Sequence, residues 1–179
     1  MHGLILAELR KYVEAKLGKD AWYGLLTTAG LGGRVYLSGE PYPDEEVVTL
    51  VTTASKTTGL PAATILEDFG EFIVPDLVDI YRPYIKPQWK SLDLIEHTEV
   101  NIHRAVRLRN PGAEPPHLKT KRVDRRQVLL VYTSPRKLCS VAKGIAKGVG
   151  KFYGEALTIS EGSCMLRGDP ECAITIRLA

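Results

Sequence analysis

Leu4, Leu6, Leu9, Val13 and Leu17 recur at helical spacing over residues 3–17 and form a broad apolar stripe. Glu8, Arg10 and Lys11 interrupt it, so the segment fails as a signal peptide and reads as an amphipathic helix. Asp20 is placed to cap a second helix running through Leu25 and Leu26. Residues 30–43, GLGGRVYLSGEPYP, hold four glycines and two prolines and predict a loop, with a short extended piece at 34–37. Asp44 can cap a helix over 45–58, and Pro61 suits the first turn of another over 61–73. Pro83 and Pro87 punctuate a short helix and a loop. A long helix is expected over 91–109, ending before Asn110-Pro111-Gly112.

The period then changes. HLKTKRV (117–123) and QVLLVYTS (127–134) read as strands joined by a polar turn at Asp124-Arg125. Residues 136–153 predict an amphipathic helix, with Lys143, Lys147 and Lys151 on the wet face and Val141, Ile145, Ala146, Val149 and Phe152 on the apolar one. Residues 155–162 and 172–178 alternate like the strands of a hairpin. The fold class is therefore α+β: an N-terminal helical part followed by a ββαββ part with an antiparallel sheet. No internal repeat and no linker divides residues 1–179, which are expected to form a single domain.

Composition narrows the classes. With 179 residues, 44% hydrophobic and 25% charged, the chain can bury its own core, which excludes global disorder. No stretch approaches about 20 apolar residues, so no membrane span is expected. Three cysteines argue against a secreted disulfide framework and for a reducing cytoplasm. The net charge of +3 hides an asymmetry: residues 1–100 carry 9 Lys/Arg against 15 Asp/Glu, residues 101–179 carry 15 against 6. A basic stretch from Arg104 through Arg126 has the charge of a nucleic-acid footprint, but no recognised nucleic-acid-binding motif accompanies it, and a solvated basic face is the simpler expectation.

The chain has no P-loop, no GxGxxG opening a helix, no GxSxG and no HExxH, which favours a binding or sensing module over an enzyme. Two constellations remain. The first joins His103, the Pro115-Pro116 pair and Tyr132-Thr133-Ser134-Pro135-Arg136. Hydroxyls and a guanidinium at alternate positions of an extended segment share a face and can converge on a carboxylate or phosphate, with Arg136 also opening the last helix. The second is Cys139, Cys164 and Cys172, the last two bracketing the turn SCMLRGDPEC. Three thiolates and one further ligand suit tetrahedral zinc, and three buried reduced thiols would leave the same pattern. Glu161, Asp169 and Glu171 lie near them in sequence.

HxxVRLRNPGAxPP followed by VYTSPRxL resembles the haem nitric-oxide/oxygen-binding (H-NOX) family. MHGLILAELRKYVEAKLG resembles that family's N-terminus, LxxFGEFIV its distal helix, and CMLRGDPEC a motif of a bacterial branch, so the resemblance spans essentially residues 1–178. It implies haem b buried between the helical and sheet-bearing parts. It assigns His103 as proximal iron ligand, Tyr132, Ser134 and Arg136 to the haem propionates, and Pro116 to a position against the macrocycle. His97 is a rival ligand whose spacing to the prolines and to Tyr132 does not fit. In the bacterial branch a histidine three residues before the first hairpin cysteine completes a zinc site; here that position is Glu161.

The resemblance also bears on gas choice. Oxygen-holding members carry a distal tyrosine five residues after the propionate arginine, and here that residue is Val141. The other distal positions, Ile5, Leu9, Ile73 and Leu77, are apolar too, and Tyr12 or Tyr23 would overturn the reading if either reached the pocket. Oxygen retention needs a hydrogen-bond donor in a dry pocket. The expectation is a non-catalytic NO sensor that also binds CO. It would act by release of His103 and haem relaxation, signalling in trans to a histidine kinase or cyclic-di-GMP enzyme. Its rivals are an oxygen or haem carrier and a basic nucleic-acid-binding module.

Overall fold

The structure is a computed structural model that describes residues 1–110 and 112–179; Pro111, within the expected helix stop, lies outside them. The helical part runs α1 (Gly3–Leu17), α2 (Ala21–Thr28), α3 (Asp44–Thr58), α4 (Ala62–Phe72) and α5 (Val74–Ile80), then a 3-10 turn at Arg82–Tyr84. Asp20 and Asp44 stand at the starts of α2 and α3, but neither side chain makes a capping hydrogen bond. Asp44, Glu45 and Glu46 instead place charge in the first turn of α3, where the helix dipole favours it. Residues 34–37, expected as a short extended piece, pair with no strand. The loop folds back on α1, where the Gly3 N–H donates to the Glu40 carbonyl at 2.8 Å and His2 pairs with Pro41. A Cβ on residue 3 would lie 1.9 Å from the Leu37 carbonyl oxygen, which is why glycine starts this helix.

The expected long helix over 91–109 is not continuous. It is α6 (Ser91–His97), a π-helical turn (Thr98–His103) and α7 (Arg104–Arg109). The local cause lies in two carbonyls taken by side chains. His97 Nδ1 pairs with the Asp93 carbonyl at 2.8 Å and Thr98 Oγ1 donates to the Leu94 carbonyl at 2.7 Å, while the Thr98 N–H turns to Ile95. Such back-bonding competes with the regular ladder and bends helices.

The second half is β1 (His117–Asp124), β2 (Gln127–Thr133), α8 (Cys139–Phe152), β3 (Leu157–Glu161) and β4 (Cys172–Leu178). The strands form one antiparallel sheet in the order β1-β2-β4-β3, with Leu130 opposite Ile174 and Val128 opposite Ile176. Helix α8 begins later than the pattern predicts, because Lys137 takes a positive φ of 51° and Arg136 sits in the turn before it. Phe152, expected on the apolar face, is 48% exposed.

Two cores result. One packs α1 to α4 around Leu6, Leu50, Phe69 and Ile73; the other packs the sheet, α6 and α8 around Val128, Ile174, Ile176 and Val149. Helices α4 and α8 join them by a close crossing. A Cβ on Gly144 would meet the Glu67 carbonyl oxygen at 2.0 Å, and one on Gly70 would meet that of Val141 at 2.4 Å. Lys147 and Lys151 stay on the exposed face, as expected, and they also brace this crossing: Lys147 reaches Glu67 at 2.6 Å, the less exposed Lys143 reaches it at 3.3 Å, and Lys151 pairs with Glu71. The basic stretch is likewise spent internally in part. Arg107 pairs with Glu99, Arg122 with Asp93 and Glu96, and Arg126 donates to the Leu178 and Ala179 carbonyls. Among the described residues no helix is long and apolar enough to cross a membrane.

Gly144→Ala tests the crossing. Helix propensity alone would stabilise the variant by about 1 kcal/mol. Overpacking against backbone should outweigh that and leave a net loss of about 2 kcal/mol, roughly 4–8 °C in Tm by calorimetry. An unchanged or raised Tm would show that the crossing is looser than described.

Candidate functional site

Between the two cores lies a cavity of about 590 Å³, within the range of small-molecule and cofactor sites. Its walls come from both sides: Ile5 and Leu9 of α1, Leu77 of α5 and Tyr81 just after it, Val141 and Ile145 of α8, and His103 from the π turn. Pro115, Pro116, Tyr132 and Arg136 line it as well. Ile73, expected among the distal residues, is fully buried in the helical core and is not part of the lining; Val74, Val78 and Phe69 are, and sequence reading missed them.

His103 is the last residue of the π turn and is mostly buried. Its Nδ1 lies 2.9 Å from Glu99 Oε2, one helical step back. The same carboxylate accepts from Arg107 at 2.5 Å and from the Leu118 N–H of β1 at 3.1 Å. Burial alone would raise the Glu99 pKa, but the hydrogen bonds from His103, Arg107 and Leu118 hold it at about 2. Glu99 already accepts from Arg107 and the Leu118 N–H as a carboxylate, so a neutral His103 meets it with Nδ1–H and keeps Nε2 as the nitrogen able to bind a metal. Glu99 was also missed, although its spacing of four from His103 was visible. His97 is engaged elsewhere: its ring stacks on Trp89 at 4.7 Å and it does not line the cavity.

At the polar side, the Tyr132 hydroxyl accepts from the Leu138 N–H at 3.1 Å, and Ser134 Oγ accepts from the Arg136 N–H at 3.3 Å. Arg136 donates to Asp44 at 3.3 Å and to the Glu114 carbonyl. Tyr132 and Arg136 face the cavity, whereas Ser134 is buried behind them and steadies the turn. His2 adds a group that the sequence did not signal. Its Nδ1 accepts from the Leu4 N–H at 3.4 Å, and its Nε2 is buried on the cavity wall with no partner among the described residues. Neither tyrosine that threatened the apolar reading lines the cavity: Tyr12 donates to Asp68 at 2.7 Å, and Tyr23 is 59% exposed. Tyr81 does line it.

A second cluster lies where α8, β3 and β4 meet. Cys139, Cys164, Cys172 and Glu161 bring their ligand atoms within 4.8 Å of one another, and the Cys139 and Cys164 sulfurs are 3.7 Å apart. Burial, reinforced by the neighbouring thiols, pushes the Cys139 thiol up to about 12, and burial raises Cys172 too. Glu161 Oε2 meets Arg167 at 3.3 Å and Lys143 at 3.5 Å, while its Oε1 is buried without a partner. Asp169 is outside the cluster and accepts from the Cys164 N–H at 2.7 Å.

The model of the Haem-NO-binding family matches residues 2–161, and the chain belongs to this family of haem-based gas sensors. The chain is similar to the H-NOX protein from S. oneidensis in its Fe(II)NO ligation state, at 26% identity and a TM-score of 0.93, covering 100% of this chain and 99% of that one. It shares the fold of the Fe(II) unliganded H-NOX protein from K. algicida at 21% identity and a TM-score of 0.88, covering 100% and 97%. Soluble guanylate cyclase gcy-34 of Caenorhabditis elegans is 25% identical over 164 residues, 85% of this chain and 23% of the cyclase. The chain thus spans about a quarter of that relative's length.

Tyr132→Phe tests the polar side. It would leave the partly buried Leu138 N–H unpaired at the entrance to α8. The expected loss is about 1–2 kcal/mol of stability in chemical denaturation. A variant as stable as the parent would mean that this hydroxyl does not hold the turn.

Proposed function

We propose that residues 1–179 form one haem-binding unit that senses NO, also binds CO, excludes stable oxygen binding and has no catalysis of its own. The observation that carries it is His103, held at Nδ1 by Glu99, on the wall of a cavity that Ile5, Leu9, Leu77 and Val141 keep apolar. The residues present fit haem b: the walls are apolar enough for a macrocycle, His103 Nε2 is available to iron, and the polar side offers cationic and hydroxyl donors for its acids. The unpartnered His2 Nε2 on the same cavity supports a missing acceptor. When bound, the haem iron supplies the coordination position for a diatomic gas.

In this reading His103 is the proximal ligand, Tyr132 and Arg136 serve the propionates directly, Ser134 serves them by holding the turn that presents Arg136, and Pro116 bears on the macrocycle. Arg136 would exchange its Asp44 and Glu114 partners for a propionate. Ile5, Leu9, Leu77 and Val141 exclude water and offer oxygen no donor, with Ile73 supporting them from behind. Release of His103 would free the end of the π turn and the α7 that follows it, biasing a two-state protein. The output passes to a separate effector in the cytoplasm, a histidine kinase or cyclic-di-GMP enzyme. Cys139, Cys164, Cys172 and Glu161 hold a structural zinc, a reading supported by the orphaned Glu161 Oε1 beside three sulfurs. The paired state of Arg107, Arg122 and Arg126 weighs against nucleic acid as the ligand.

A second reading, oxygen binding, has one observation in its favour: Tyr81 lines the cavity. Absorption spectra of the reduced, haem-loaded protein separate the two. The NO-sensor reading expects a shift with NO and with CO and none that persists in air. A stable oxygen spectrum that Tyr81→Phe abolishes would replace it. Arg136→Ala should speed haem transfer to an acceptor globin about tenfold or more, the value of a charge-assisted hydrogen bond; an unchanged rate removes Arg136 from the propionate site. Elemental analysis should find one zinc per chain, lost in Cys139→Ala, and metal-free protein of unchanged stability would refute the zinc assignment.

A further inference from the structure

We infer that Glu99 is the positioning residue that sets the strength of the His103–iron bond, and that Arg107 moderates it by sharing the same carboxylate. The inference rests on the reading of His103 as the haem ligand. One carboxylate gathers three donors from three elements: His103 at the end of the π turn, Arg107 on α7 and the Leu118 N–H on β1. A histidine that donates its second ring nitrogen to a carboxylate is a stronger metal ligand than one that donates to a neutral group, because the ring takes on anionic character. Here the acceptor is about three-quarters buried and lies 2.9 Å from the ring nitrogen, where Arg107 and the Leu118 N–H already donate to it as a carboxylate, so little solvent stands between it and the ring. Arg107 binds Oε1 while His103 uses Oε2, so the guanidinium draws charge away from the histidine. The pair forms a graded control: Glu99 tightens the bond and Arg107 loosens it.

The geometry also couples that bond to the fold. Glu99 lies in the π turn that ends at His103, and its link to Leu118 anchors the turn to the first strand of the sheet. A His103 released from iron would stay tethered at Nδ1. The ring could then return to the metal, and the proximal bond would survive in a larger share of the NO-bound protein than it would without the carboxylate.

The test is resonance Raman spectroscopy of the ferrous, haem-loaded protein, reading the iron–histidine stretch, with the reduction potential and the NO-bound absorption spectrum measured alongside. Glu99→Gln keeps the shape and an acceptor but removes the charge; its stretch should fall. Glu99→Ala should fall further, with a raised potential and a larger five-coordinate fraction after NO. Arg107→Met should move the stretch upward, a sign that mere loosening of the turn would not give. Where Glu99→Ala fails to retain haem, the near-isosteric Gln variant and Arg107→Met carry the test. Frequencies unchanged across the Glu99 and Arg107 variants, in a protein whose ferrous spectrum does depend on His103, would overturn the role of Glu99 alone. A ferrous spectrum indifferent to His103→Gly would overturn the ligand assignment beneath it as well.

Discussion

The close approach of α4 to α8 is the constraint on which the rest of the molecule depends. At Gly70 and Gly144 backbone meets backbone, with no space for even a methyl group. That contact fixes how the helical core sits on the sheet-bearing core, because α8 belongs to both. Neighbouring positions on the same helix, Val141 and Ile145, are left facing the gap where the two cores diverge. The cavity is therefore a consequence of the crossing. Two apolar cores are held together along one line of glycines and held apart beyond it. A sensor needs a bound group to influence how two packed units sit against each other, and this arrangement puts the cavity at that seam.

The division of charge along the chain has the same explanation. The acidic first half and the basic second half meet across the seam and within its flanks: Glu67 with Lys147, Asp93 and Glu96 with Arg122, Asp44 with Arg136. Exposed pairs of this kind add little stability, and their value lies in orientation. Arg136 is the instructive case, since its side chain is only 12% exposed and already occupied by Asp44. A carboxylate entering the cavity competes for that guanidinium, so filling the site would alter a contact between α3 and the turn before α8.

Much of this was legible in the amino-acid sequence. The alternation of QVLLVYTS reads directly as the β2 burial of Val128, Leu130 and Tyr132, and the family resemblance carried by His103 and the YxSxR element agrees with the match over residues 2–161. What escaped was decided by tertiary contacts or local carbonyl competition. The π turn depends on Thr98 and His97 capturing carbonyls, which a periodicity over 91–109 cannot reveal. The late start of α8 depends on the positive φ of Lys137. Lysines spaced for a wet face also pair with glutamates of α4, because charge on one helix says nothing of what packs against it. Val74 rather than Ile73 lines the cavity, a choice between two adjacent apolar residues that only the packing makes. Glu99 lay in plain view at i−4 from His103, but its meaning required Leu118 and Arg107 to arrive at the same carboxylate.

The central claim is that the cavity between the two cores holds haem through His103. Titrating the apoprotein with ferrous haem, beside His103→Gly with and without added imidazole, tests it most directly. The account predicts one haem per chain with a five-coordinate ferrous spectrum, lost in His103→Gly and restored by imidazole. Haem that binds the variant with the parent's spectrum in the absence of imidazole would contradict it.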